Sequence, residues 1–332
     1  MNALSPLEPR ELSFYEGRRV LVTGGFGFLG RNLVKRLVNA GAQVTVLSRT
    51  APTLTPDLAF LVSKVVHHRG DLRNYEDTEQ AVAGAATIFN LAGRSGATAS
   101  NAEPMQDLDV NGYGQLNVLE ACRRINRTAR VIFSSSRLVY GPTDRLPVRE
   151  EAGLIPLSVY GAHKLLGECY HRVYARVHGV PTVILRITNP YGPYQDDDRT
   201  YGIVNMFIRA ALAGRPLTVF GDGEQLRDFV HVNDVVRAFL LAGMADSANG
   251  EAINIGGGQA VKFKDMAEDI VRITGHGSIQ YQAWPADAAA TETGSFVANI
   301  EAAAHKLGWR PQIPFAVGLE SAIRCYEEGL TT

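Results

Sequence analysis

Two features of this 332-residue sequence predict an α/β fold built on a doubly wound parallel sheet. The first is a short apolar run, Val20-Leu21-Val22, that breaks into Gly24, Gly27 and Gly30 and then turns amphipathic. The second is the alternation of short apolar strands with helical patterns through the first half of the chain.

Residues 19–22 read as a buried first strand. Residues 31–38 follow as a helix, with Leu33, Val34, Leu37 and Val38 on one face. Gly24 permits the tight turn, Gly27 lets backbone approach a pyrophosphate, and Gly30 lets the helix pack against the strand. The free N–H groups of the first helical turn, from Phe28 and Leu29 onward, then face the anion. A second strand at 43–47 completes the setting in which such glycines hold a dinucleotide. After Ser48-Arg49-Thr50, a Pro-punctuated stretch to Ser63 reads as loop or poorly regular helix. Residues 65–67 form strand three, ending in Gly70-Asp71-Leu72, and 75–82 form a helix with Asn74 as cap. Strand four is 87–91, and the turn 92–96 is small enough for close approach of a ligand. One long helix is expected from about 105 to 124, then strand five at 130–134. Further on, 183–187 and 252–255 read as strands, and 235–241, 263–273 and 300–307 as helices.

Composition agrees with a globular chain, 45% hydrophobic and 20% charged, long enough for one large domain or two coupled ones. A net charge of −1 supplies no general pull toward nucleic acid or an anionic membrane. Cys122, Cys169 and Cys325 are widely spaced and odd in number, which suits a reducing compartment. No apolar run nears the ~20 residues of a membrane helix, and residues 1–17 read as a polar extension without a signal-peptide core. A cytoplasmic location is expected. No histidine has a metal-ligand spacing partner, so no metal is implied.

Strand five runs into Ser134-Ser135-Ser136 at the carboxyl edge of the sheet, where ligands bind in open α/β folds. Tyr160 and Lys164 lie at i and i+4 of a helical pattern, so the ammonium sits beneath the phenol. A neighbouring cation favours phenolate, which a general base near neutral pH requires.

Six motifs together carry a family resemblance: Thr23 to Gly30, Asp71-Leu72, Asn90 to Gly93, Ser134 to Ser136, Tyr160-x-x-x-Lys164, and Arg227 to Asp234. In this order they resemble the extended short-chain dehydrogenase/reductases, in the nucleotide-sugar epimerase/dehydratase branch, over nearly the whole chain. The resemblance implies a Rossmann-like parallel sheet, spanning 18–187 and about 229–256, with a smaller C-terminal α/β substrate lobe from about 188–228 and 257–332. It implies Tyr160 as catalytic base, Lys164 as its partner and ribose ligand, and Ser136 as the hydroxyl that positions the sugar. Asp71 and Leu72 would meet adenine, Leu91, Ala92 and Gly93 would line the cofactor trough, and Ser134 would neighbour it. Asn189 and Arg227 would bind the substrate diphosphate, and the strand ending at Phe220 would lie beside the nucleotide base. His231 and Asp234 are read as architectural. A homodimer through helices 105–124 and 160–177 is implied by the same resemblance.

Three departures narrow the chemistry. Dehydratases of this branch carry an Asp-Glu pair just after the strand-five hydroxyl; here those positions hold Arg137 and Leu138, which supply neither the proton donor nor the base that water elimination needs. Trp284 precedes Pro285 where relatives often carry an Arg for the nucleotide. The end of strand two has Ser48-Arg49 instead of an acid, so Arg49 either pairs with the 2′-phosphate of NADP or stacks on the adenine of NAD. The expected activity is C4 epimerisation of a nucleotide hexose by transient hydride transfer. The alternatives are an NADPH-dependent 4-ketoreductase and a non-catalytic dinucleotide sensor; the intact Ser136, Tyr160 and Lys164 oppose the sensor.

Overall fold

The computed structural model describes residues 8–51, 56–195 and 202–329. Its central sheet has seven strands: β1 (Arg19–Thr23), β2 (Gln43–Ser48), β3 (Val66–Arg69), β4 (Thr87–Asn90), β5 (Arg130–Ser136), β6 (Thr182–Ile187) and β7 (Ala252–Ile255). They lie in the order β7-β6-β5-β4-β1-β2-β3, every pair parallel. The strand order reverses between β1 and β4, which opens a crevice at their carboxyl ends.

A parallel sheet covered on both faces needs apolar residues in both directions along each strand. In β1, Val20 and Val22 face Leu33, Val34 and Leu37 of helix Phe28–Asn39, together with Val235 and Phe239 of helix Val232–Met244. Leu21 faces the other way, against Val82, Ile88, Val118 and Val131. A further core joins Phe207 and Ile208, Leu217 and Val219, Met266 and Ile270, and Leu319 and Ile323. It draws on helices Ile203–Leu212, Phe263–Thr274 and Phe315–Glu327 and on strand Pro216–Phe220. The short parallel pair Asn189–Tyr191 and Phe229–His231 follows directly on β6 and ties this core to the sheet.

Several local expectations are revised. Within the polar extension, Pro9–Tyr15 is a docked helix: Tyr15 is fully buried and its hydroxyl donates to the Leu240 carbonyl at 2.7 Å. Of the two readings of the stretch after β2, loop or poorly regular helix, Pro56–Ser63 takes the helix, while residues 52–55 lie outside the described residues. Strand five extends to Ser136, because its pairing with β6 continues through Ser136 and Ile187. The helix expected at 105–124 is broken into Pro104–Leu108, a π-helical turn Asp109–Tyr113, and Gly114–Ile125. Gly112 and Gly114 lower helix propensity there, and the wide turn re-aims Asn111. Strand Ser278–Gln282, parallel to Pro216–Phe220, and the helices Ala97–Ala102, Ile203–Leu212 and Phe315–Glu327 were not legible from the sequence. No helix among the described residues is long and apolar enough to cross a membrane.

Candidate active site

The carboxyl edge of the sheet opens into a cleft of about 1360 Å³. Its walls gather almost all the residues singled out from the sequence: Gly24, Gly27, Phe28, Leu29 and Gly30, Ser48 and Arg49, Asp71 and Leu72, Leu91, Ala92 and Gly93, Ser134 and Ser136, Tyr160 and Lys164, and Asn189 and Arg227. Phe220 is not among the lining; its ring packs on Trp284, with centroids 5.5 Å apart.

The glycine loop is built for close approach. Gly24 sits at φ +67°, its N–H bonds the Leu47 carbonyl at 2.9 Å, and a Cβ there would lie 3.0 Å from Ala92 Cα. A Cβ on Gly30 would strike the Gly24 carbonyl and the Gly25 backbone. No side chain caps helix Phe28–Asn39 at Gly27, so its first-turn amides are left for an anion. Beneath the loop, Thr23 Oγ1 donates to Asn90 Oδ1 and accepts from the Leu91 and Ala92 amides, fixing the trough between β1 and β4. Gln115 locks the same turn, accepting from Asn90 Nδ2 at 2.7 Å and donating to the Ala92 carbonyl at 3.0 Å. Asn111 donates to the Arg94 carbonyl, while its buried Oδ1 has no partner and lies 2.5 Å from where a Gly93 Cβ would be. Such a cradle, closed to any side chain and holding an orphaned acceptor, fits a dinucleotide. Thr23 stood in the glycine motif without an assigned role, and Asn111 and Gln115 escaped the sequence reading; Asn111-Gly112 inside a helical run was the one signal.

At the far end of β2, the Ser48 hydroxyl donates to the Thr50 carbonyl at 3.1 Å and lies 2.9 Å from His67 Nε2. The Asp71 carboxylate binds Arg73 at 2.6 Å, and this pairing holds it below the usual carboxylate range.

Tyr160 and Lys164 lie on helix Val159–His178, which Ser158 caps by accepting from the Gly161 amide at 3.1 Å. Ser100 Oγ receives the Tyr160 amide at 2.9 Å. A Cβ on Gly161 would strike the Leu138 carbonyl, and one on Gly167 would lie 2.7 Å from the Phe133 ring; both glycines let this helix close onto β5. Lys164 Nζ donates to the Ser134 carbonyl at 2.7 Å and stands 5.7 Å from the Tyr160 ring centroid. Burial pushes its ammonium down to about 8. Ser136 Oγ accepts from the Leu138 amide at 3.2 Å and stays on the cleft wall.

Ser135 turns the other way. Its hydroxyl donates to Glu168 Oε1 at 2.6 Å, and Glu168 holds Arg186 in a bidentate pair at 2.9 and 2.7 Å. Arg186 also donates to the Tyr140 hydroxyl at 2.7 Å, which donates to Asn254 Oδ1 at 2.8 Å. This buried network stitches β5, β6 and β7 behind Ser136.

At the opposite end of the cleft, Asn189 Nδ2 donates to the Asp228 carbonyl at 2.8 Å and its Oδ1 accepts from Arg137 Nε at 3.4 Å. Arg227 donates to the Leu226 and Gly294 carbonyls and to Glu292 at 2.6 Å. Both residues face the cleft with donors engaged inside the protein. Asp228 is buried and accepts from the Gly257 and Ala298 amides; burial still raises it to about 6. His231 caps helix Val232–Met244 by accepting from the Asn233 amide, and Asp234 receives the Gln312 and Ile313 amides. Both are architectural. No cluster of three metal-ligating side chains occurs among the described residues.

Comparison with known proteins agrees with this geometry. A UDP-glucose 4-epimerase from Mycolicibacterium smegmatis is 30% identical over 319 residues, which is 93% of this chain and 98% of its own length. The structure of an epimerase from Methanothermobacter thermautotrophicus superposes with a TM-score of 0.89 at 30% identity, covering 97% of this chain and 95% of that one. A Thermus thermophilus UDP-glucose 4-epimerase solved in complex with NAD gives a TM-score of 0.83 at 29% identity, over 93% of this chain and 99% of that one. Dehydratases and decarboxylases acting on nucleotide sugars match as well. Residues 20–256 match the NAD dependent epimerase/dehydratase family, and the chain, an enzyme fold with the dinucleotide cleft and the Tyr-x-x-x-Lys helix in place, belongs to that family within the extended short-chain dehydrogenase/reductases.

Proposed function

We propose that the protein is a nucleotide-sugar 4-epimerase. The observation that carries this reading is the combination at the end of β5: Ser136, Tyr160 and Lys164 share one cleft wall, while Arg137 and Leu138 occupy the positions that a dehydratase fills with acids. Bound in the cleft, NAD supplies the acceptor and donor of hydride. The chain's residues handle the proton and the pose. Tyr160, as phenolate, withdraws the proton from the sugar 4-hydroxyl, and Ser136 Oγ orients that oxygen by hydrogen bonding. Lys164, pinned by the Ser134 carbonyl, holds its charge beneath the phenol and favours the ionised form. Asn189 and Arg227 reach the diphosphate by exchanging their internal bonds for charge-assisted ones. Anchored at its diphosphate, the oxidised sugar turns its other face to the cofactor, and Tyr160 returns the proton to the 4-oxygen of the inverted product.

Arg49 on the adenosine wall, with no acid at the end of β2, favours a second reading, an NADPH-dependent reductase of 4-keto-sugars. The exposed apolar residues Met105, Tyr113, Ile125, Val173 and Val177, on the helical segment 104–125 and helix Val159–His178, support a homodimer through these two helices. The deciding experiment incubates the purified protein with UDP-, dTDP-, GDP- and CDP-hexoses, a trace of NAD and no reductant. Inversion of at least one sugar at C4, without solvent deuterium at that carbon, is the expected result. Reduction of a 4-keto-sugar with stoichiometric NADPH loss and no inversion would replace the epimerase by the reductase.

A further inference from the structure

The cleft carries a positive charge with which no acid among the described residues forms an ion pair. Arg137 opens the turn Arg137–Val139 directly after Ser136 and lines the cleft with it. Its Nε donates to Asn189 Oδ1 at 3.4 Å, one Nη1 hydrogen goes to Thr293 Oγ1 at 3.0 Å, and the guanidinium lies 5.4 Å from the Phe296 ring centroid. These are neutral partners. The two acids whose fields reach it are committed elsewhere: Glu292 to Arg227, and Asp228 to the Gly257 and Ala298 amides. Burial and the nearby Arg227 push the guanidinium down to about 10, so its charged form is destabilised where it stands. A guanidinium carries five N–H donors, and the two bonds above leave the rest of the planar fork for a ligand. A partly buried cation of this kind is relieved by an anion that arrives with the substrate.

We infer that Arg137 binds a carboxylate on the sugar and makes the site selective for nucleotide hexuronates over neutral hexoses. The placement favours the sugar over the diphosphate. Arg137 follows Ser136 directly on the cleft wall, at the position where a dehydratase carries an acid that acts on the sugar, so it would meet an anion on C5, whereas the diphosphate on C1 is left to Asn189 and Arg227. A carboxylate also matches the fork with two parallel bonds, which a hydroxymethyl cannot do.

This inference rests on the nucleotide-sugar reading above, and its test is a binding measurement that needs no turnover. NAD-loaded protein is first titrated with UDP, dTDP, GDP and CDP to find the tightest nucleotide. The diphosphate, its glucose conjugate and its glucuronate conjugate are then titrated against wild type and Arg137→Met by calorimetry. Wild type is expected to bind the glucuronate about 10- to 100-fold tighter than the glucose conjugate. Arg137→Met should erase that preference while leaving the diphosphate and the glucose conjugate within about threefold. Arg137→Lys, which keeps the charge and loses the fork, should retain part of it. Equal weakening of all three ligands by Arg137→Met would assign Arg137 to the diphosphate and overturn the inference. Equal affinity of wild type for the two sugars would overturn it too. If inversion at C4 fails but the glucuronate preference stands, the epimerase reading falls alone.

Discussion

Replacing Glu168 by Gln tests whether the network behind β5 holds the site together. Glu168 and Arg186 are both fully buried, joined by two bonds of 2.9 and 2.7 Å, and Ser135 donates to the same carboxylate at 2.6 Å. The amide keeps the shape but loses the charge, and its NH₂ group points donor to donor at Arg186 or Ser135. A buried guanidinium stripped of its carboxylate costs about 3 to 5 kcal/mol. With an unfolding entropy of about 2.1 cal/mol/K per residue, a chain of 332 residues should then melt roughly 4 to 7 °C lower. Thermal unfolding of NAD-loaded wild type and Glu168→Gln, followed by circular dichroism, reads the shift. The double variant Glu168→Leu with Arg186→Met removes both charges and should recover most of the loss, because an ion pair replaced whole by apolar side chains is close to neutral. A single variant within about 1 kcal/mol of wild type, or a double variant worse than the single, would refute the account.

Three further outcomes are expected. Tyr160→Phe should keep NAD affinity and lower kcat by about 10²- to 10⁴-fold, since the ring still packs while the ionisable oxygen is gone; near-normal turnover would remove Tyr160 as base. Lys164 titrates near 8 when folded and higher when unfolded, so between those values the unfolded chain binds the extra proton and Lys164 adds stability as pH rises. Urea midpoints measured from pH 8 upward should therefore climb more steeply in wild type than in Lys164→Met, and parallel slopes would contradict the assignment. Arg49→Ala should weaken NADP by about 1.5 to 3 kcal/mol more than NAD if the guanidinium pairs with a 2′-phosphate; equal losses would mean that it only stacks.

Local chemistry made much of this protein legible in one dimension. Glycine spacing after an apolar strand, a Tyr and a Lys one helical turn apart, and serines at a strand end are short-range patterns that can be found without knowing the fold, and their order along the chain gives them meaning. They placed the sheet, the loop and the helix of Tyr160 and Lys164, and eighteen of the nineteen residues they and the family resemblance pointed to line one cleft. Phe220 was the exception, because which face of a short strand meets a cleft depends on partners distant in sequence, here Trp284.

What tertiary structure decided is how long-range partners use each side chain. Of three consecutive serines, Ser136 faces the cleft and Ser135 is spent on Glu168, a division set by the pleat of β5 and by a helix 33 residues away. The π turn that brings Asn111 to Gly93 arises where a helix must pass Leu72 and helix Val159–His178 at once. Docking of Tyr15 beneath Leu240 gave structure to a segment that reads as a polar extension. Sequence alone marked Arg137 as a departure from the acid pair; only the fold showed that its guanidinium lines the cleft and bonds the neutral Asn189 and Thr293, because pairing is a property of space and not of order along the chain.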